Sequence, residues 1–122
     1  MIFLDTNILI EYLKGNKSIT AQYSPNELFI NDIVVMELYQ GAKSKNDLRF
    51  IVNEISNFKI LKTNDEIIKL ATQLLKEYNL SHNMKMMDAI IVSTVMIYDI
   101  PLMTLNLKDF RYLDGVKLVD IR

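Results

Sequence analysis

Short strand candidates alternate with longer helical patterns along this chain, and that alternation restricts the fold more than any other feature. The strand candidates are residues 2–4, 28–30, 59–61, 101–103 and 116–119. The segments between most of them place apolar residues at helical spacing, as Ile67, Ala71, Leu74 and Tyr78 do. Strands that alternate with helices in this way predict an α/β fold with a central, mainly parallel sheet of about five short strands.

The composition fits one ordinary globular domain and excludes several kinds of site. The 122 residues suit a single domain spanning 1–122, and no linker or repeat divides them. There is no cysteine, which excludes disulfides, thiolate zinc sites and cysteine nucleophiles. A net charge of −1 disfavours a module that binds nucleic acid through a basic surface. It does not disfavour an enzyme whose metal ions contact the phosphate.

The chain shows neither a targeting segment nor a membrane segment. Its first residues reach Asp5 before the basic start and apolar run of a signal peptide could form. The longest apolar stretch lies within residues 89–98, about half of what a membrane span requires. We therefore expect a cytoplasmic protein with no membrane partner.

Four acidic residues occupy positions where an acid is locally awkward or follows a strand. Asp5 ends the first strand, Glu37 interrupts an apolar helix, Asp88 begins the most apolar helix, and Asp109 follows the fourth strand. Each has an ordinary structural interpretation: Asp5 as a helix cap, Glu37 as the polar face of its helix, Asp88 as a charge favoured by the helix dipole, and Asp109 as a turn residue.

Together, these acids suggest a site, because chemistry in α/β folds gathers beyond the carboxyl ends of the strands. Carboxylates that share a small space repel one another, and a hard cation such as Mg²⁺ or Mn²⁺ reverses that cost. Such an ion can activate water and stabilise charge on a phosphoryl group. The only histidine, His82, falls in an expected polar loop over residues 80–85, and we interpret it as a surface residue.

Four segments, in order along almost the whole chain, resemble the motifs of PIN domains. They are residues 2–7 (IFLDTN), 37–42 (ELYQGA), 87–92 (MDAIIV) and 101–110 (PLMTLNLKDF). The resemblance implies a three-layer sandwich in which Asp5, Glu37 and Asp88 are metal ligands and Thr6, Asn7 and Thr104 orient ligands or waters. Some relatives carry an aspartate where this chain has Asn106, so either Asp109 supplies the last carboxylate or a second metal is bound weakly. Asn31 replaces a serine that is frequent in relatives.

Among PIN domains, a stand-alone chain of this size is most similar to the VapC-type toxins of toxin–antitoxin pairs. That resemblance implies a Mg²⁺-dependent endoribonuclease that cuts RNA, forms a homodimer and is inhibited by a cognate antitoxin. Two alternatives within the fold are a nuclease with a non-toxin role in RNA processing and a degenerate PIN domain that only binds a partner.

Two other enzyme classes also place acids after strands. A phosphatase of the haloacid-dehalogenase type requires a second aspartate two residues after the first, where this chain has Asn7. A receiver-like signalling domain requires an aspartate after a central strand, which residues 61–63 (LKT) do not offer.

Overall fold

In the part of the chain that the structure describes, four parallel strands form one central sheet. The computed structural model describes residues 1–121. The strands are β1 (Ile2–Leu4), β2 (Leu28–Asn31), β3 (Lys59–Leu61) and β4 (Leu102–Met103), in the order β3-β2-β1-β4. Phe3 of β1 pairs with Phe29 on one side and with Leu102 on the other. Since β1 is central, the residue that follows it lies in the middle of the carboxyl edge of the sheet.

Within residues 1–121, five α-helices flank the sheet, and the α/β class is therefore confirmed. They are α1 (Thr6–Leu13), α2 (Asp32–Gln40), α3 (Lys45–Ile55), α4 (Asp65–His82) and α5 (Met86–Tyr98). Short 3₁₀ helices span Pro25–Glu27 and Leu107–Asp109. None of the helices in residues 1–121 combines the length and the apolar character that a membrane crossing demands.

Polar side chains cap the starts of α2, α3 and α4. Asn31 accepts a hydrogen bond from the backbone N–H of Val34 at 2.8 Å, and Asn64 accepts one from Ile67 at 3.0 Å. Ser44 does the same for Asp47. Each bond satisfies a backbone donor that has no partner within its own helix, so these residues fix where the helices begin.

The core is densest around the two central strands and α5. Phe3, Leu4, Leu102 and Met103 are fully buried, so both faces of these strands are covered. Every residue of α5 from 89 to 95 is also buried. A helix that is apolar on all sides belongs in the interior. Because α5 is fixed in the core in this way, the position of Asp88 in its first turn is fixed as well.

The prediction of about five strands is wrong by one in the described residues. Residues 116–119 form only an isolated parallel bridge between Leu118 and Leu102. Leu102 donates its N–H to Lys117 O and accepts from Val119 N, each at 2.8 Å. Because β4 contains only Leu102 and Met103, it offers too short an edge for a longer ladder.

The loop expected over residues 80–85 is wrong in its first half, because α4 continues to His82. The helix ends at Asn83, which adopts the left-handed conformation at φ 56° and donates its N–H to Tyr78 O. Asparagine tolerates this conformation better than most residues, which makes it an effective helix terminator. Met84, in the short connection that remains, is buried, whereas Met86 is exposed.

We expect replacement of Asn31 by alanine to destabilise the protein by about 1–3 kcal/mol. The fully buried Asn31 side chain caps α2 and also donates to Thr94 Oγ1 at 3.4 Å. Urea unfolding of Asn31→Ala measures the loss, and Asn31→Ser, which keeps a capping oxygen, should lose less. An alanine variant as stable as the wild type would show that the cap contributes nothing.

Candidate active site

Asp5 lies at the end of β1 and is fixed by hydrogen bonds on both carboxylate oxygens. Oδ1 accepts from the backbone N–H of Thr6 at 2.8 Å. Oδ2 accepts from Thr104 Oγ1 at 2.7 Å and from Asn7 Nδ2 at 3.3 Å. The bond to Thr6 lies at the start of α1, so Asp5 does serve as a helix cap. The two other bonds exceed what a cap requires and hold the buried carboxylate in one orientation.

Thr104 and Asn7 join the loop after β4 to the start of α1. The hydroxyl of Thr104 donates to Asp5 and accepts from Asn7 Nδ2 at 3.3 Å and from Asn106 N at 3.0 Å. Asn7 Oδ1 accepts from Leu105 N at 3.2 Å. These contacts connect residues almost a hundred positions apart in the sequence. They keep the fourth motif beside the first.

Glu37 and Asp88 lie on two different helices and are both near Asp5 at the carboxyl edge of the sheet. Glu37 lies in the second half of α2 and is partly exposed. Asp88 lies in the first turn of α5, where one oxygen accepts from Lys85 N at 3.1 Å. The other oxygen of Asp88 has no hydrogen-bond partner among the described residues. Both side chains therefore retain oxygens that can bind an additional group.

The carboxylates are close enough to repel one another. Burial raises the pKa of Asp5, the hydrogen bonds from Thr104 and Thr6 oppose that rise, and the negative charges of Asp88 and Glu37 add to it. Burial likewise raises the pKa of Asp88, and the charges of Asp109 and Glu37 add to that rise. Electrostatically, Asp5, Glu37 and Asp88 form one cluster, in which Glu37 and Asp88 make the ionisation of Asp5 less favourable and Glu37 does the same for Asp88.

The side chains are not closed around a shared point. Within residues 1–121, no three acidic or histidine side chains are arranged so that they could hold one ion as they stand. Asp5 is fixed by its hydrogen bonds, so the side chains of Glu37 and Asp88 would have to rotate toward it to share an ion. Each of them has a carboxylate oxygen that is not used in a hydrogen bond among the described residues and could bind that ion.

Asp109 and Asn106 lie farther out. Asp109 is exposed on the 3₁₀ helix after β4 and interacts with Asp88, whereas it is absent from the charges that act on Asp5. Asn106 is also exposed, and its side chain makes no capping hydrogen bond at the start of that 3₁₀ helix. Both residues therefore lie at the rim of the cluster rather than at its centre.

The donor set fits a hard divalent cation. The cluster offers only oxygen ligands, which Mg²⁺ and Mn²⁺ prefer. Next to Asp5, the hydroxyl of Thr6 is buried without a hydrogen-bond partner among the described residues. A buried polar atom that lacks a partner is costly, and a metal-bound water beside Asp5 would satisfy it.

A groove opens beside this cluster, between α1, α2 and α3. Its volume is about 400 Å³, and Thr6 and Glu37 line the end nearest the carboxylates. Most of the remaining wall is apolar and includes Ile10, Leu13 and Phe50. Ile10 and Phe50 are each more than two-fifths exposed. The acidic cluster and the apolar groove are therefore continuous.

Sequence analysis missed Tyr112, which lies within electrostatic reach of Asp88 and Asp109. Its hydroxyl is buried and has no hydrogen-bond partner among residues 1–121. Burial raises the pKa of Tyr112, and the charges of Asp88, Tyr78 and Asp109 raise it further. The available signal was a tyrosine three residues after Asp109, but that spacing alone does not show which way the ring points.

We expect the stability of the metal-free protein to carry the pH signature of the raised pKa of Asp5. A carboxyl whose pKa is raised by folding contributes stability below its unfolded pKa and loses that contribution as the pH rises through the folded value. In chelator, the free energy of unfolding of wild type relative to Asp5→Asn should therefore fall as the pH rises from 3.8, the ordinary value, to neutrality. Urea titrations across that range measure this difference in the free energy of unfolding. A difference that stays constant with pH would show that folding does not raise the pKa of Asp5.

A comparison with known protein families identifies the family of this chain. The family model described as "PIN domain" matches residues 2–116. The chain belongs to the PIN-domain family. The match includes all four motifs and every candidate site residue named above.

Named relatives of this PIN domain are similar over nearly their full length. A protein named Ribonuclease VapC2, from Methanocaldococcus jannaschii, is 31% identical, over 98% of this chain and 93% of its own. A protein named Ribonuclease VapC, from Rickettsia bellii, is 27% identical over 98% of this chain and 96% of its own.

Solved structures have the same fold. A chain of a toxin–antitoxin complex from Klebsiella pneumoniae is 30% identical, with a TM-score of 0.78 over 95% of each chain. A chain of a DNA-bound VapBC from Salmonella typhimurium reaches a TM-score of 0.84 at 23% identity, over 98% of this chain and 96% of its own. The resemblance to the PIN fold inferred from the sequence is confirmed.

Proposed function

We propose that this PIN domain is a metal-dependent endoribonuclease of the VapC type, acting as the toxin of a toxin–antitoxin pair. The observation that carries the proposal is the buried Asp5 carboxylate, held by Thr104, Asn7 and Thr6 at the end of the central strand while Asp88 and Glu37 raise its pKa. A fold does not need to concentrate negative charge at a buried point. A nuclease that binds a divalent ion does.

Asp5, Asp88 and Glu37 would hold the ion, and Mg²⁺ is the expected one, with Mn²⁺ as a substitute. When bound, it would supply a water of lowered pKa and stabilise negative charge on the phosphoryl group. Asp5 provides a fixed anchor, because both of its oxygens are already oriented by hydrogen bonds. Thr104 and Asn7 maintain that orientation, and the Thr6 hydroxyl is free to bind a water beside it.

The named relatives support an activity on RNA. Those at 31% and 27% identity are both named ribonucleases, and they match this chain over almost its whole length. A direct test incubates the purified chain with total cellular RNA, with Mg²⁺ or with chelator. Fragments that appear only with Mg²⁺ support the proposal, and intact RNA in both samples would leave the degenerate PIN domain as the better account.

Exchanging the two rim residues should show which of them completes the site. We expect Asn106→Asp to tighten Mn²⁺ binding several-fold, because it adds a carboxylate beside Thr104, and Asp109→Asn to weaken it by a similar factor. Calorimetric titration measures both constants. If only Asp109→Asn changes the affinity, Asp109 supplies the last carboxylate, and if neither does, the ion is held by the inner acids alone.

We also propose that the apolar groove binds part of the cognate antitoxin. Several structural neighbours are toxin–antitoxin complexes. The groove offers exposed apolar side chains, such as Ile10 and Phe50, next to the acidic cluster. A segment with apolar side chains and one basic residue would complement both. The test first looks for a neighbouring reading frame that encodes a small protein, and then expresses the chain alone and with that protein. The proposal requires growth arrest in the first case and rescue in the second. A homodimer and a cytoplasmic location stay predictions.

A further inference from the structure

Three aromatic rings are packed together at the end of α4. His82 and Tyr112 are stacked, with ring centroids 3.9 Å apart and planes 13° from parallel. Tyr78, one turn earlier on α4, meets His82 nearly edge-on at 5.6 Å and Tyr112 at 5.3 Å. We call these three residues the aromatic stack. Its rings are held by one another, so their orientation is set before any ligand arrives.

One end of the aromatic stack lies within electrostatic reach of Asp88, one of the acids of the cluster. The hydroxyl of Tyr112 is buried, and its pKa is raised by burial and then by the charges of Asp88, Tyr78 and Asp109. The negative charges of Asp88, in the cluster, and Asp109, at its rim, therefore both act on this hydroxyl. The other end reaches solvent, because His82 is exposed. The stack connects the proposed site of cleavage to the surface through two parallel rings.

The outer face of His82 is suited to stacking. Tyr112 covers one face of the imidazole, and the edge of His82 is held by Ser81, whose Oγ lies 2.8 Å from Nδ1. Unpaired RNA bases stack on such rings, and proteins that bind single strands combine ring platforms with positive charge along the backbone. Lys85 is exposed, its backbone N–H donates to Asp88, and its positive charge lowers the pKa of that carboxyl, so it supplies a cation between the stack and the acidic cluster.

We propose that His82, backed by Tyr112, is the platform on which a nucleobase of single-stranded RNA stacks next to the scissile phosphate. His82 would act as a positioning and specificity residue, with no part in the chemical step. The inference rests on the proposed nuclease function and adds a base-binding subsite to it. A purely structural stack, which only closes the end of α4, predicts no effect on RNA once folding is accounted for.

Cleavage kinetics separate these two interpretations. With a fluorophore- and quencher-labelled pool of short single-stranded RNAs, His82→Ala should raise KM by about tenfold and leave kcat nearly unchanged, because one base–ring contact is lost. His82→Phe, which keeps a ring, should restore KM. Leu80→Ala is the matched control, since Leu80 lies in the same last turn and is 98% exposed. Active wild type with an unchanged KM in His82→Ala would overturn the inference and leave the nuclease proposal standing.

A binding measurement in chelator tests the stack without cleavage. The probe is a short mixed-sequence single-stranded RNA in which 2-aminopurine replaces adenine, since the fluorescence of that base is quenched by stacking. We expect quenching by wild type and by His82→Phe, and at least about a fivefold weaker response with His82→Ala. Equal quenching by all three proteins, or quenching by none, would overturn the inference, whatever the outcome of the cleavage assay. Melting curves of each variant confirm that the comparison is between folded proteins.

Discussion

Asp88→Asn is expected to lower the rate of RNA cleavage by about a hundredfold or more while the protein stays folded. Asparagine keeps an oxygen that can accept from Lys85 N, so the start of α5 is preserved. It removes one of the negative charges that raise the pKa of Asp5. The melting temperature in chelator should therefore stay the same or rise. The two measurements together distinguish a ligand from a structural acid.

A matched control excludes a general effect of charge. Glu27 is exposed and precedes β2, so it lies at the opposite edge of the sheet from the cluster. Glu27→Gln removes the same charge as Asp88→Asn, and its cleavage rate should equal that of wild type. Full activity in Asp88→Asn, or a similar loss in Glu27→Gln, would contradict the role given to Asp88.

Saturation with Mn²⁺ should raise the melting temperature of wild type by several degrees. An ion that binds only the folded state adds about 2.7 kcal/mol when its concentration is a hundred times Kd. In this protein, that binding free energy would include relief of the repulsion among Asp5, Asp88 and Glu37. Cleavage should stop in chelator and return when Mg²⁺ or Mn²⁺ is added back.

The same titration on Asp5→Asn provides the comparison. Asp5 is the most fixed carboxylate of the cluster, so its replacement should remove most of the shift. If Mn²⁺ stabilised Asp5→Asn as strongly as wild type, the ion would be binding elsewhere on the surface.

Features set by neighbouring residues were predictable from the sequence. The caps at Asn31, Ser44 and Asn64 depend on a side-chain oxygen and a backbone donor three residues away, so the local sequence is sufficient. The first three strands follow from short runs bounded by such caps. The α/β class then follows from their alternation with helices.

Features that depend on contacts between distant residues could not be predicted from the sequence. The bond between Thr104 and Asp5 joins residues 99 positions apart, and no local pattern reports it. The length of the last strand depends on how much edge β4 leaves exposed. The end of α4 depends on Asn83 adopting a left-handed conformation, which asparagine allows but does not require. The placement of Tyr112 near Asp88 depends on how the segment after Asp109 packs against α4 and α5.

The candidate site was likewise predictable only in part. Family resemblance gave Asp5, Glu37 and Asp88 their proposed role, and the structure places all three within mutual electrostatic reach. His82, interpreted from the sequence as a surface residue in a loop, is exposed as expected but lies on α4 and stacks on Tyr112. A ring–ring contact between residues 30 positions apart leaves no trace in composition or periodicity.

The central claim is that Asp5, Asp88 and Glu37 share one divalent ion. An anomalous difference map from a wild-type crystal soaked in Mn²⁺ tests it most directly. The account predicts a peak in contact with the carboxylates of Asp5 and Asp88, with Glu37 bound to it directly or through a water. A map with no peak among these three side chains at saturating Mn²⁺, or with its only peak at a distant surface acid, would contradict the account.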